Sequence, residues 1–355
     1  MQKIWLKIIG HKGNLLFWPI LALLWIASVF YRLGANLKRH FSKAEIKTRA
    51  RVFSIGNLTV GGTGKTPMVI TLGKYFISTG KKVGIVSSGY GRKHALDIIG
   101  SGQELATKSA DDLGDEAMVM IHALPQAYFS ISKSKSNAAH MLDMRYDLDI
   151  ILVDDGYQHR RLHRDFDILL LDAGHDLRKD SLFPFGTLRE PAAGIGRADA
   201  VIFTKTNFHA VQPDYREWIR QIYHGEIIAE VNYCNDHVKM NDEKIPMENL
   251  ADKKIYFFAG IGGFGPLLEH LKKRFNNISG YRQFPDHCSY LPSDTARIKK
   301  DLDKLIPEIV ITTNKDFVKL SGFDFGLPIY YLDLKLKFAQ GEQELRIALE
   351  DVVKE

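Results

Sequence analysis

Apolar residues run almost unbroken from Leu15 to Tyr31, LLFWPILALLWIASVFY, with no charge between Lys12 and Arg32. A stretch that is apolar on every side asks for lipid or for a deep core. As a helix rising about 1.5 Å per residue it is barely long enough to cross a bilayer. Pro19 stands near its start, and both flanks are basic, with Lys3, Lys7 and Lys12 before it and Arg32, Lys38 and Arg39 after it. Positive charge at both ends sets no orientation, which suits a helix inserted from one membrane face better than one that crosses. A buried core helix is the competing expectation. A cleaved signal peptide would need a small-residue cleavage site that the sequence does not offer.

From Arg51 the pattern changes to short apolar runs broken by turn residues. Val52, Phe53 and Ile55 enter a glycine-rich turn, and helical spacing follows at Met68, Leu72, Tyr75 and Phe76 until Thr79-Gly80 stops it. Lys82 to Ser87, KVGIVS, is the next strand, and strand, loop, helix, strand in that order predicts a parallel three-layer sheet. Further strands are expected at Asp149 to Val153, at Asp167 to Asp172 and at Ala200 to Lys205, the last closing this sheet. A helix around Tyr215 to Tyr223 leads to two short strands, Ile227 to Tyr233 and His237 to Met240, that read as a small sheet joining two domains. Lys253 to Phe275 starts a second strand-and-helix unit, Ile309 to Phe317 continues it, and Pro328 to Phe338 alternates as a final strand. The expected division is a membrane-associating helix (1–40), an α/β domain (41–222), a two-stranded linker (223–252) and a smaller α/β lid domain (253–355).

A chain of 355 residues, 45% hydrophobic and 25% charged, is ordinary for a two-domain globular protein. The net charge of +6 suits an anionic partner. No zinc-finger spacing and no basic block with interleaved aromatics is present, so a membrane surface or an anionic substrate is favoured over nucleic acid. Nothing calls for an obligatory protein partner. Cys234 and Cys288 have no metal-binding or CxxC spacing and are expected to be free thiols.

The chemistry is concentrated at the carboxyl ends of the predicted strands. Thr59-Val60-Gly61-Gly62-Thr63-Gly64-Lys65-Thr66 reads as a phosphate-binding loop of the GxxxxGK[ST] kind, with Thr59 where the pattern asks for glycine. Backbone N–H groups of such a loop cradle phosphate, Lys65 reaches the β- and γ-phosphates of ATP, and the Thr66 hydroxyl can ligate Mg²⁺. Ile150 to Val153 run straight into Asp154-Asp155, a Walker B arrangement in which the strand-ending carboxylate serves the metal. Asp115 and Glu116 stand at a predicted helix start, where acids either complement the helix dipole or act in catalysis. Gly260-x-Gly262-x-x-Gly265 imitates a dinucleotide fingerprint, but no acid ends a clear second strand and Pro266 follows, so tight strand-to-helix turning is the preferred account. Asn314-Lys315-Asp316 is one residue short of a guanine signature.

GGTGKTP, DDGYQHRRLHRD, LREP, FPDH and TTNKD stand in one order, and with them nearly the whole chain resembles the lipid A 4′-kinase (tetraacyldisaccharide 4′-kinase) family. The resemblance implies transfer of the ATP γ-phosphate to the 4′-hydroxyl of an acylated glucosamine disaccharide 1-phosphate in lipid A biosynthesis, with Mg²⁺, at the cytoplasmic face of the bacterial inner membrane. It implies nucleotide contacts from residues 59–66 and Asp155, metal contacts from Thr66 and Asp154, and catalytic roles for Lys65, Asp115 and His287. His159 and Glu190 match further motif positions without an assigned role. Ser88 replaces the usual arginine of Ser-Arg-Gly-Tyr, and Asn314 stands where glutamate is common. The alternatives are a membrane-associated partitioning ATPase, whose signature lysine would fall at Val60, and a non-catalytic nucleotide-binding scaffold, against which intact Lys65, Thr66, Asp154 and Asp155 argue.

Overall fold

The computed structural model describes residues 5, 8–10, 17–40 (backbone alone over 35–40), 45–92, 96–234, 236–240, 243–286, 288–320 and 323–354. Among them β1 (Arg51–Gly56), β2 (Val83–Ser87), β3 (Ile98–Ser101), β4 (Tyr128–Ile131), β5 (Ile150–Asp154), β6 (Phe166–Asp172), β7 (Ala200–Thr204) and β8 (Ile227–Cys234) join one sheet. The next six, β9 (His237–Met240), β10 (Glu243–Pro246), β11 (Ile255–Ala259), β12 (Ile278–Gln283), β13 (Ile309–Thr313) and β14 (Ile329–Leu332), form a second sheet. The last strand, β15 (Lys335–Gln340), returns to the first, whose order is β15-β8-β7-β6-β1-β5-β2-β4-β3.

From β8 through β4 the first sheet is parallel, and β15 and β3 add antiparallel edges. Strands β2, β5 and β7 are buried along their whole length, as strands covered on both faces must be. One face packs Phe53, Ile55 and Leu152 against Met68, Leu72 and Phe76 of the helix Lys65–Ser78 and against Met120 and Ile121 of the helix Asp115–Ala123. The other face carries Val52, Val86 and Val153 against Leu142 of the helix Lys135–Arg145. The second sheet, in order β10-β9-β14-β13-β11-β12, has its own core around Phe257, Phe264, Leu268 and Ile311.

The joining region differs from the sequence expectation. β8 pairs in parallel with β7 and extends the first sheet past the strand expected to close it, while β9 and β10 belong to the second. Residues 223–252 are therefore divided between the two sheets. The segment Pro328 to Phe338 is two strands, β14 pairing with β13 and β15 pairing with β8. Leu345 and Leu349 of the terminal helix Glu342–Lys354 are buried in the first core, so the end of the expected 253–355 unit is part of the first domain. Alternation in β8 and β15 announces half-buried strands but does not say which edge each will pair with.

The N-terminal apolar stretch forms the helix Trp18–His40. It is not a core helix: Leu23 and Phe30 are 68% and 69% exposed, and Trp18, Trp25, Ile26 and Leu33 also face outward. Leu21 and Ser28 are buried, and the Tyr31 hydroxyl donates to the Arg189 carbonyl at 3.0 Å. The Trp5 and Tyr31 rings lie against Phe183, and the Trp5 indole N–H donates to the Pro184 carbonyl at 2.7 Å. No helix among the described residues is long and apolar enough to cross a membrane.

Candidate active site

The loop after β1 is braced from below and from the side. Asn57 is fully buried; its amide donates to the Thr59 carbonyl at 2.9 Å, and its side-chain oxygen accepts from the Lys65 ammonium at 3.2 Å. Thr59 bridges to Leu188 in antiparallel fashion, flanked by the Val60 N–H on the Thr187 carbonyl (2.8 Å) and the Arg189 N–H on the Leu58 carbonyl (2.7 Å). This pairing removes the need for glycine at position 59, because an extended residue carries a side chain without strain. Glycine is required at Gly64, where φ is 91° and an added Cβ would lie 2.2 Å from the Tyr233 hydroxyl. Gly64 hands the chain to the helix that begins at Lys65, so the loop's N–H groups and the helix start face the same space.

Asp154 ends β5 beside Ile55 of β1. It is 2% exposed; one oxygen accepts from the Ser87 hydroxyl at 3.4 Å, and Oδ1 has no hydrogen-bond partner among the described residues. Burial first, then the neighbouring charges of Glu116 and Asp155, push its pKa up to about 7 against the pull of Lys135 and Lys65. Asp155 adopts φ 54° and turns its carboxylate back toward the loop, 3.4 Å from the Lys65 ammonium and 2.8 Å from the Arg189 guanidinium. Burial opposes its charge, but Lys65, Lys135 and Arg189 together hold it well below the usual carboxylate range. Lys135, 2% exposed, donates to the carbonyls of both Asp154 and Asp155. The sequence reading missed Lys135. A lysine in the run Ser132-Lys133-Ser134-Lys135 carries no motif, and only its place just beyond the carboxyl end of β4 points to this end of the sheet.

Asp115 opens the helix Asp115–Ala123 after Gly114, whose φ is 90° and whose added Cβ would lie 2.7 Å from backbone atoms of Gly89 and Tyr90. That close approach seats the Ser88-Gly89-Tyr90-Gly91 turn against the acidic helix start. The Asp115 carboxylate, 5% exposed, accepts the Glu116 N–H on Oδ1 at 3.1 Å and faces Lys319 on Oδ2 at 2.9 Å. It is thus tied to its own helix on one side and to the second domain on the other. His287, the expected catalytic partner, lies outside the described residues.

Glu190 is held in a fork by Arg197 at 2.7 and 2.8 Å and accepts from Gln158 at 2.9 Å. Gln158 also donates to the Asn57 carbonyl at 2.8 Å, and the Arg197 guanidinium lies 4.0 Å from the centre of the Tyr157 ring. The described contacts of Gln158 and Glu190 therefore join the acidic turn to the loop that braces residues 58–60. Arg164 donates to the His159 carbonyl at 2.8 Å. In the second domain, the Gly260 N–H donates to Asp316 at 3.0 Å, a strand-to-helix turn of the kind the glycine pattern suggested.

A cleft of 2340 Å³ lies between the sheets, and Asp115, Lys135 and Glu190 sit behind its lining rather than on it. Residues 59–66, Asp154, Asp155, Glu116, Ser88 and Arg189 line it from the first domain, and Gly262, Asp286, Asn314 and Lys315 from the second. A largely parallel sheet with a phosphate loop after one strand and an acidic pair after its neighbour defines a P-loop nucleotide-binding enzyme, here with a second domain facing the phosphate site.

The chain belongs to the tetraacyldisaccharide-1-P 4′-kinase family, whose model matches residues 20–354. A tetraacyldisaccharide 4′-kinase of Geobacter metallireducens is 32% identical over 340 residues, covering 94% of this chain and 98% of that protein. One of Chlorobium phaeovibrioides is 30% identical over 359 residues, with 94% and 98% covered. The crystal structure of an "apo" form of LpxK from Aquifex aeolicus in complex with ATP matches with a TM-score of 0.76 at 28% identity, covering 94% of this chain and 99% of that one. The chain is accordingly an enzyme, a kinase of this family.

Proposed function

We propose that the protein transfers the γ-phosphate of ATP to the 4′-hydroxyl of an acylated glucosamine disaccharide 1-phosphate, a step in lipid A biosynthesis. The observation that carries this reading is the convergence of the phosphate loop, the Asp154-Asp155 pair and Glu116 on one cleft bordered by both domains, with Asp115 buried next to Glu116 and paired with Lys319. ATP lies with its phosphates on residues 59–66, and the Lys65 charge meets the γ-phosphate as negative charge moves during transfer. The 4′-oxygen attacks the γ-phosphorus, the bond to the β,γ-bridging oxygen breaks, ADP leaves, and the hydroxyl proton passes to Asp115. His287 is assigned to Asp115 as the partner that shares the proton, since a lone carboxylate is a weak base for an alcohol.

The residues present fit a magnesium ion. Asp154 Oδ1 has no hydrogen-bond partner among the described residues, Asp154 and Thr66 line the same cleft, and hard cations take oxygen ligands. Asp154 and Thr66 would hold it, with phosphate oxygens and water completing its shell, and it would neutralise phosphate charge. Asp155, already paired with Lys65 and Arg189, is assigned to the nucleotide side. The exposed apolar face of the helix Trp18–His40 is assigned to the cytoplasmic surface of the inner membrane, which brings the cleft to a substrate whose acyl chains stay in lipid. Incubation with MgATP and the acylated disaccharide 1-phosphate tests the reading by the appearance of the 4′-phosphorylated product. ATP hydrolysis with no dependence on the disaccharide would point to a partitioning-type ATPase, and ATP binding without turnover to a scaffold.

A further inference from the structure

The second domain reaches the acidic helix of the first through two ammonium groups. Lys315 and Lys319 leave the turn after β13 four residues apart and converge on Asp115 Oδ2, at 4.0 and 2.9 Å. Each also grips the segment that follows Pro285: Lys315 is 3.2 Å from Asp286 Oδ1, and Lys319 donates to the Cys288 carbonyl at 3.2 Å. Lys315 lies 3.7 Å from Glu116 as well. The side chains of Lys319 and Asp115 are only 9% and 6% exposed. Charges so far from water are costly singly, so this is no incidental surface pair: losing either partner strands the other. Burial works against the Lys315 charge, and Glu116, Asp286 and Asp115 outweigh it, raising its pKa above the usual lysine value.

We infer that Lys315 and Lys319 are positioning residues for phosphate transfer, which fix the ionised Asp115 carboxylate to the second-domain segment at Asp286 and Cys288 when the domains close. The inference rests on Asp115 as the acceptor of the hydroxyl proton. A carboxylate oxygen has two lone pairs, so a lysine on Oδ2 orients the group without closing it to the substrate. Because both lysines come from the second domain, the orientation of the proton acceptor depends on where that domain sits over the first. Lys315 is part of Thr312-Thr313-Asn314-Lys315-Asp316, while Lys319 stands outside that motif.

The test uses the full chain with Lys315→Met, Lys319→Met and Lys315→Arg, each measured for ATP dissociation constant, KM and kcat. Both methionine variants should bind ATP as the parent does and lose about 10²-fold in kcat, the scale of a reacting group misplaced by about an ångström. Lys315→Arg should recover most of the rate, since a guanidinium can span the same carboxylates. Asp115→Ala with Lys319→Met should be no slower than Asp115→Ala alone, because groups acting as one unit do not add. Asp115→Asn with Lys319→Met, which leaves no unpaired charge, supplies the folded reference by thermal unfolding. If Lys319→Met fails to fold, Lys315→Met, whose parent side chain is more exposed at 21%, decides alone. Parent-like kcat in Lys315→Met beside an inactive Asp115→Ala overturns the inference and leaves Asp115 standing. Normal turnover by Asp115→Ala removes Asp115 from the reaction and the inference with it.

Discussion

Lys135 carries its ammonium where almost no water reaches, and burial pulls its pKa below the usual lysine value. What holds it there is the chain itself, through the carbonyls of Asp154 and Asp155 and the two carboxylates nearby. Its work is to fix the left-handed turn at Asp155, from which one carboxylate faces Lys65 and Arg189. Lys135→Met should therefore cost about 10–100-fold in turnover, the usual scale for a residue that orients ligands at a metal site, here the proposed magnesium site. Steady-state kinetics on the folded variant checks this, and an unchanged rate would reduce Lys135 to a packing residue. At this scale the sequence showed what spacing encodes. Lys65, Thr66, Asp154 and Asp155 fall at motif positions, whereas Lys135 becomes visible only once β4 and β5 are placed on the same side of the sheet, with β2 between them. Thr59 was legible as a departure from the loop pattern but not as the extended partner of Leu188 that makes the departure harmless.

The loop from Asp176 to Glu190 braces the site although it has little regular structure, and its sequence carries no strand or helix pattern. Asp180 organises it by accepting the N–H groups of Ser181 (2.6 Å) and Thr187 (2.9 Å) and the ring of His175 (2.8 Å), after which Thr187 and Arg189 brace residues 58–60. The hydrogen bond to Asp180 raises the His175 pKa above its usual value despite burial. A histidine raised on folding stabilises the native state fully below its unfolded pKa of about 6.5 and loses that contribution as pH rises through the folded value. The stability gap between the parent protein and His175→Gln should thus be widest below about pH 6.5 and close on the alkaline side. Denaturant unfolding at several pH values reads this directly, and a gap independent of pH would contradict it.

For the whole molecule, the strands of the first sheet were legible because parallel strands buried on both faces read as continuous apolar runs. The boundary between domains was not, because β8 and β15 are edge partners from distant parts of the chain, and alternation carries no address. β15 and the terminal helix tie the second sheet back to the first, which gives the cleft a double connection. The N-terminal helix touches the same machinery through Tyr31 on the Arg189 carbonyl, with the Arg189 side chain on Asp155. Removal of residues 1–34 should abolish sedimentation with anionic phospholipid vesicles and slow turnover of lipid-embedded acceptor while leaving ATP binding in place. A truncated protein that still sedimented and turned over acylated substrate as the full chain does would make the helix structural.

In the proposed reaction one cleft binds ATP on the phosphate loop and passes its γ-phosphate to a sugar hydroxyl whose proton goes to Asp115. A single-turnover assay with γ-labelled ATP and the acylated disaccharide 1-phosphate, run on the parent protein, Lys65→Ala and Asp115→Ala, tests it most directly. Label on the 4′-oxygen is expected with the parent, and near-complete loss with Lys65→Ala. With Asp115→Ala the loss should be about 10²–10⁴-fold with ATP still bound. Labelled product formed at the parent rate by Asp115→Ala, or label released as inorganic phosphate with no product from the parent, would contradict the proposed reaction.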